Sequence, residues 1–245
     1  MPPNGEVLQK ILARKGLCSR READEYIRRG WVLVDGKVVT KLGTRALPSQ
    51  DVRLGPEAQR VQDATVTILL NKPVGFVSGQ PESDKRPAII LVTPENRDPA
   101  DRGPAFEPKW LNGLVAAGRL DEDSRGLLVL TQDGRVAKRL IGEASNLEKE
   151  YLVRVDRMPT EAELARLRSG LYLDGKPLRP AGVEILNADQ LRFILTEGRN
   201  RQIRRMCEQV GIRVAGLKRV RIGRVVLGSL PEGHWRLLPP RMSFL

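Results

Sequence analysis

"GRLDEDSRGLLVLTQDG", residues 118–134, sets a crowded turn against a short apolar run. Gly118 and Gly126 bracket the turn, and Asp121 stands between Arg119 and Asp123. The run that follows, "GLLVLT", has strand length and is bounded by turn formers, which predicts a buried strand. An aspartate at its edge reads in two ways. Asp-rich turns are common solvated loops. Alternatively, a carboxylate near a guanidinium stays ionised and oriented, as a nucleophile requires.

Working outward, strands are predicted at "VTILLNKPVGFVS", "KEYLVRV", "VEILN", "LRFILT" and "RVVLG". Helices are predicted at "GRVAKRLIG", "TEAELARLRSG" and "NRQIRRMCEQVG". Strands outnumber helices, they do not alternate regularly with them, and no GxGxxG follows a strand. A doubly wound nucleotide-binding fold is therefore disfavoured, and an α+β domain on a mixed, mostly antiparallel sheet fits better. The interval from Thr93 to Gly113 carries Pro94, Pro99, Pro104 and Pro108 and reads as a long loop, a kind that is usually functional or disordered.

Upstream lies a separate unit, residues 1–52. Leu8, Ile11 and Leu12 have helical spacing, and Gly16 can close that helix. Ser19 and Glu22 form a capping box for a second helix whose inner face is Ala23, Tyr26 and Ile27. Asp35-Gly36 then signals a hairpin. Seven basic residues against three acidic ones between Lys10 and Arg29 suit phosphate binding, and Arg20 and Arg21 flank a helix N-terminus with free N–H groups. Residues 53–65 show no sustained period and read as a linker to a second domain, 66–245.

Charge narrows the partners. The 245 residues carry 42 Lys and Arg against 30 Asp and Glu, a net charge of +12. Such an excess favours a polyanion, and nucleic acid over a membrane, because no long basic amphipathic helix with bulky aromatics is present. No apolar run is long enough to span a bilayer, and the first residues lack the apolar core of a secretory signal, so a cytoplasmic location is the default. Cys18 and Cys207 are distant from each other, which argues for two reduced thiols, and His234 is the only histidine. Metal-ligand spacing is absent.

Two further segments carry candidates. Tyr151 shares a strand face with Val153 and Val155, and could be core or could stack on a planar base. Between Arg199 and Arg224 stand nine basic residues and one acid, Glu208. Ile203, Met206, Cys207 and Val210 make a buried stripe with Arg204 at its edge. A guanidinium so placed wants a carboxylate, and Asp121 is the candidate. Asp123 raises a two-carboxylate glycosidase reading, but such enzymes draw their carboxyls from separate elements, and Asp123 is not expected to participate.

Taken in order, "LQKILARKGLCSRREADEYIRRGWVLVDGKVV" resembles an S4 RNA-binding domain. "NKPVG", "GRLDEDSRGLLVLTQDG", "EKEYLV" and "EGRNRQIRRMCEQVG" behind it resemble the RsuA/RluB/RluE/RluF family of pseudouridine synthases, most of all the RluF branch. The resemblance implies isomerisation of a uridine in ribosomal RNA, 23S above 16S or transfer RNA, by a monomer. It implies Asp121 as the catalytic aspartate, Tyr151 stacked on the uracil and Arg204 paired with Asp121. RNA contacts are expected from Arg119, Lys10, Arg20, Arg21, Lys72, Arg201 and Arg205. The reaction neither oxidises nor hydrolyses, so no metal and no nucleotide cofactor are expected. A non-catalytic ribosome-assembly protein would share the charge and the S4 unit but would not need the aspartate.

Overall fold

In a computed structural model, which describes residues 5–79, 84–142, 145–239 and 242–244, the N-terminal segment forms the expected helix–helix–hairpin unit. Helix α1 (Leu8–Arg14) buries Leu8, Ile11 and Leu12, and α2 (Arg20–Arg28) buries Ala23, Tyr26 and Ile27. The Glu22 amide donates to Ser19 Oγ and the Ser19 amide to Glu22 Oε2, completing the capping box. Gly16 and Gly30 take φ +72° just past the two helices, where a Cβ would be strained. Strands β1 (Val32–Val34) and β2 (Lys37–Val39) pair around Asp35-Gly36, and β3 (Val52–Leu54) adds to the other side of β1.

Residues 53–65, which read as a linker, contain the end of β3 and a helix, α3 (Pro56–Asp63). Only Ala58 and Gln62 of α3 are buried, too thin a stripe to give a visible period. Ala58 packs into the N-terminal cluster. Gln62 bridges onward: its Nε2 donates to Leu17 O, and its Oε1 accepts from Arg135 of the second domain at 2.9 Å.

The second domain is built from β4 (Thr67–Lys72), β5 (Arg125–Thr131), α4 (Gly134–Ile141), β6 (Lys149–Val155) and α5 (Glu161–Ser169), followed by β7 (Gly182–Asn187), β8 (Gln190–Leu195), α6 (Gln202–Glu208), β9 (Val214–Ile222) and β10 (Trp235–Leu237). The main sheet runs β7-β8-β6-β9-β5-β4-β10, with two short strands added at its margins. Its long pairings are antiparallel except β5 with β9, which are parallel. The expectation of an α+β domain on a mostly antiparallel sheet is borne out.

Strand β5 is apolar at successive positions because both of its faces are covered. Leu128 and Leu130 join the cluster that includes α5 and α6, whereas Leu127 and Val129 join the one capped by Leu140 of α4. Truncating Leu128 to Ala would cost about 2–5 kcal/mol, the usual range for such a core leucine. The proline-rich interval is pinned against the sheet edge. Arg97 pairs with Asp101 at 3.0 Å, Asp101 accepts the Leu237 amide of β10, and Phe106 sits between the rings of Trp110 and Trp235.

Candidate active site

The turn carrying Asp121 is held by side chains from two other segments. Arg219 of β9, only 3% exposed, donates from Nε to Leu127 O at 2.8 Å, from Nη2 to Gly118 O at 3.0 Å and from Nη1 to Arg119 O at 3.3 Å. Buried Ser78 accepts the Leu120 amide on its Oγ and donates back to the Leu120 carbonyl. The Ser124 amide closes the turn onto the Asp121 carbonyl. Gly126, at φ +103°, lets β9 approach: a Cβ there would lie 2.2 Å from the Arg219 carbonyl oxygen. Backbone polar groups on both sides of Asp121 are thus satisfied internally, and the carboxylate is left half-buried at the mouth of a cavity of about 1060 Å³.

Tyr151 lines the same cavity from β6 with its ring largely buried. A register shift between Glu150 and Tyr151 sets Arg221 opposite Glu150 and Arg219 opposite Tyr151. Two arginines two residues apart therefore serve different faces of the sheet, a typical effect of a β-bulge. Among the described residues, eight lysines and arginines line the cavity against two carboxylates, Asp121 and Glu197. The cavity wall is strongly cationic.

Arg204 lines the cavity but does not pair with Asp121 as expected. Its Nη2 lies 3.2 Å from Asp123 Oδ1 and donates to the Asp123 carbonyl at 3.0 Å. Arg201 holds the other oxygen, Nη2 to Asp123 Oδ2 at 3.1 Å, and its Nη1 stands 3.9 Å from Asp121 Oδ2. The reason is geometric: Arg204 from the first turn of α6 and Arg201 from the position just before that helix both reach Asp123. Burial works against ionisation of Asp123, but the hydrogen bond from Arg201 and the charges of Arg204 and Arg201 outweigh it and hold the carboxyl below its ordinary range. Arg201 reaches this position from a left-handed backbone, φ 48°, a conformation that costs about 1 kcal/mol or more and clusters at functional sites.

Two expected RNA contacts, Lys72 and Arg205, are placed differently. Lys72 is fully buried, with Nζ donating to the carbonyls of Pro73 and Phe76, so its ammonium braces the "NKPVG" turn and is sealed from any RNA. Its burial lowers its pKa to about 8 against the pull of Asp123, Glu122 and Asp121. Arg205 lies outside the cavity lining and forms a bidentate pair with Asp174, at 2.7 and 3.1 Å. At the start of α2 the capping box already occupies the Glu22 amide, leaving less of the free anion site expected there. Arg119 is exposed on the cavity wall, and Lys10, Arg20 and Arg21 are exposed on the N-terminal unit. Cys18 and Cys207 are free, buried thiols, each pushed up to about 12 by that burial.

Sequence reasoning passed over Arg219 and Ser78. Arg219 lay inside "LKRVRIGR", where basic density hid a nine-residue strand, and only the loose alternation of apolar and basic residues hinted at it. Ser78 gave no signal.

Comparison with known proteins fits this arrangement. The S4 domain matches residues 8–52, and the RNA pseudouridylate synthase family matches residues 66–209. The chain belongs to the RNA pseudouridylate synthase family, and is an isomerase with an S4 domain ahead of its catalytic domain. Within that family it groups with RluF and RluB. It is 34% identical to the dual-specificity RNA pseudouridine synthase RluF of Escherichia coli strain K12 over 238 residues, covering 96% of this chain and 76% of that one. It is also 34% identical to the ribosomal large subunit pseudouridine synthase B of Bacillus subtilis strain 168 over 242 residues, 96% of this chain and 93% of that one. A crystal structure of a pseudouridylate synthase superposes with TM-score 0.65 at 29% identity, covering 95% of this chain and 96% of that one.

Proposed function

We propose that this enzyme converts a uridine of 23S ribosomal RNA to pseudouridine with Asp121 as its nucleophile. The observation that carries the reading is the setting of Asp121: a half-buried carboxylate on a clamped turn, lining one cavity together with Tyr151 and, among the described residues, eight cationic ones. The large-subunit target is supported by the B. subtilis relative, whose name assigns it to the large ribosomal subunit.

The uridine must leave its stack, which costs a few kcal/mol. Tyr151 offsets this by stacking on the uracil, and the cleft arginines by meeting its phosphates. The Asp121 carboxylate, kept oriented by the Arg219 and Ser78 clamps, acts on the extruded nucleoside. The N1–C1′ bond breaks, the uracil turns, and a C5–C1′ bond forms; the C5 proton is lost and N1 gains one, so the sum is an isomerisation. Arg201 is the guanidinium nearest to Asp121 and steadies its charge. Arg204 acts through Asp123, holding the turn to α6. Shape recognition of a folded RNA segment falls to the S4 unit with Lys10, Arg20 and Arg21, together with Arg119 and Arg201 in the cleft. Mapping pseudouridine in 23S, 16S and transfer RNA from cells lacking the enzyme tests the target. One 23S site should revert to uridine and return on complementation; loss confined to 16S or transfer RNA would overturn the 23S assignment.

A further inference from the structure

Lys149 opens the motif "KEY" at the start of β6 and lines the cavity beside Tyr151. Its sequence neighbours are both acidic, yet neither serves it. Arg221 holds Glu150 at 2.8 Å and Glu148 at 3.0 Å. Glu197, the second carboxylate of the cavity wall, accepts from Gln202 and from the Arg179 amide and stands 3.5 Å from Arg199. Among the described residues the Lys149 ammonium has neither an ion pair nor a hydrogen-bond acceptor. It is half-buried, and burial, then the charges of Arg219 and Arg179, push its pKa down. A cation confined among cations calls for an anion from outside. Arg219 cannot be the main ligand of that anion, because its guanidinium is already committed to three carbonyls. Among the described residues Arg179 Nη2 and Nε have no acceptor, while its Nη1 donates to Asn146 Oδ1 and to the Thr196 carbonyl.

We propose that Lys149, with Arg179 beside it, forms a phosphate subsite that takes a backbone phosphodiester of the substrate strand next to the extruded uridine. This deepens the reading of the cleft given above and rests on it. Lys149 and Tyr151 are two residues apart on one strand and face the same side, a spacing that lets one element hold both base and phosphate of a nucleotide. A single pinned phosphate converts loose electrostatic attraction into register, which is what phosphate contacts contribute to recognition.

The test measures kcat/KM for pseudouridine formation on unmodified, in vitro transcribed 23S ribosomal RNA, and RNA affinity by filter binding, each over a series of KCl concentrations. Lys149→Gln should lower kcat/KM roughly 10-fold. It should also flatten the dependence of log affinity on log salt by about 0.7, the loss of one phosphate contact. Lys149→Arg should restore both. An unchanged salt slope in Lys149→Gln, or a defect that Lys149→Arg does not rescue, would overturn the subsite. Wild-type protein that binds the transcript without modifying it would contradict the 23S reading instead, and the binding slope would still decide Lys149.

Discussion

Lys72 and Arg219 are both cations deep inside the protein, and they are stabilised differently. Arg219 spreads its charge over three carbonyl acceptors, whereas the Lys72 ammonium has two. Burial pushes the Lys72 pKa down to about 8, below the ordinary lysine value of 10.5. The unfolded chain therefore binds more protons than the folded one between those two values, and this residue's contribution to stability rises with pH there. Urea unfolding at pH 7 and at pH 10 should show the wild-type protein gaining stability relative to Lys72→Met as pH rises. A difference that is flat across that window would mean the ammonium is ordinarily solvated. The same burial explains a misreading: "NKPVG" looks like an exposed basic turn, and nothing in its spacing says that Lys72 folds back onto Pro73 and Phe76. Turn glycines and strand alternation mark Asp121 and Tyr151 as candidates, and both line the cavity, but the roles proposed for them come from the family resemblance and not from local pattern. The pairing of Arg204 was not legible, because choosing between two aspartates two residues apart depends on the path of the turn over α6.

At the scale of elements, the parallel pairing of β5 with β9 decides where the Asp121 turn sits. Gly126 permits the approach and Arg219 locks it. Arg219→Met should destabilise the fold by about 2–4 kcal/mol, since it leaves the carbonyls of Gly118, Arg119 and Leu127 without their donor. It should lower turnover on bound RNA more than RNA affinity, because the guanidinium, although on the cavity wall, is committed to three backbone carbonyls and fixes the Asp121 turn. Urea midpoints together with single-turnover rates check this; wild-type turnover in the variant would show that the clamp is dispensable. Most elements were readable from periodicity, capping boxes and turn glycines. Those that were not share a physical cause. Strand β9 interleaves apolar residues with Lys218, Arg219 and Arg221, so its period-2 signal is diluted by charge. Helix α3 buries too little to show a stripe. The proline-rich interval owes its order to Trp110 and Trp235, contacts that no local pattern contains.

For the whole molecule, the +12 charge and the S4 unit bring RNA to the surface, and the cleft decides what happens to one nucleotide. Gln62 and Arg135 tie the two domains together at 2.9 Å. Charge alone would serve a passive RNA-binding protein equally well; the clamped carboxylate would not be needed. Both aspartates of the turn can be neutralised without changing shape, and only one of them faces the cavity. The most direct measurement is pseudouridine formation on unmodified 23S transcript by wild-type enzyme, Asp121→Asn and Asp123→Asn. Asp121→Asn should fold and bind RNA as the wild type does and form no pseudouridine, while Asp123→Asn, which loses the ion pairs to Arg201 and Arg204, still forms pseudouridine at a reduced rate. Pseudouridine produced by Asp121→Asn would contradict the account.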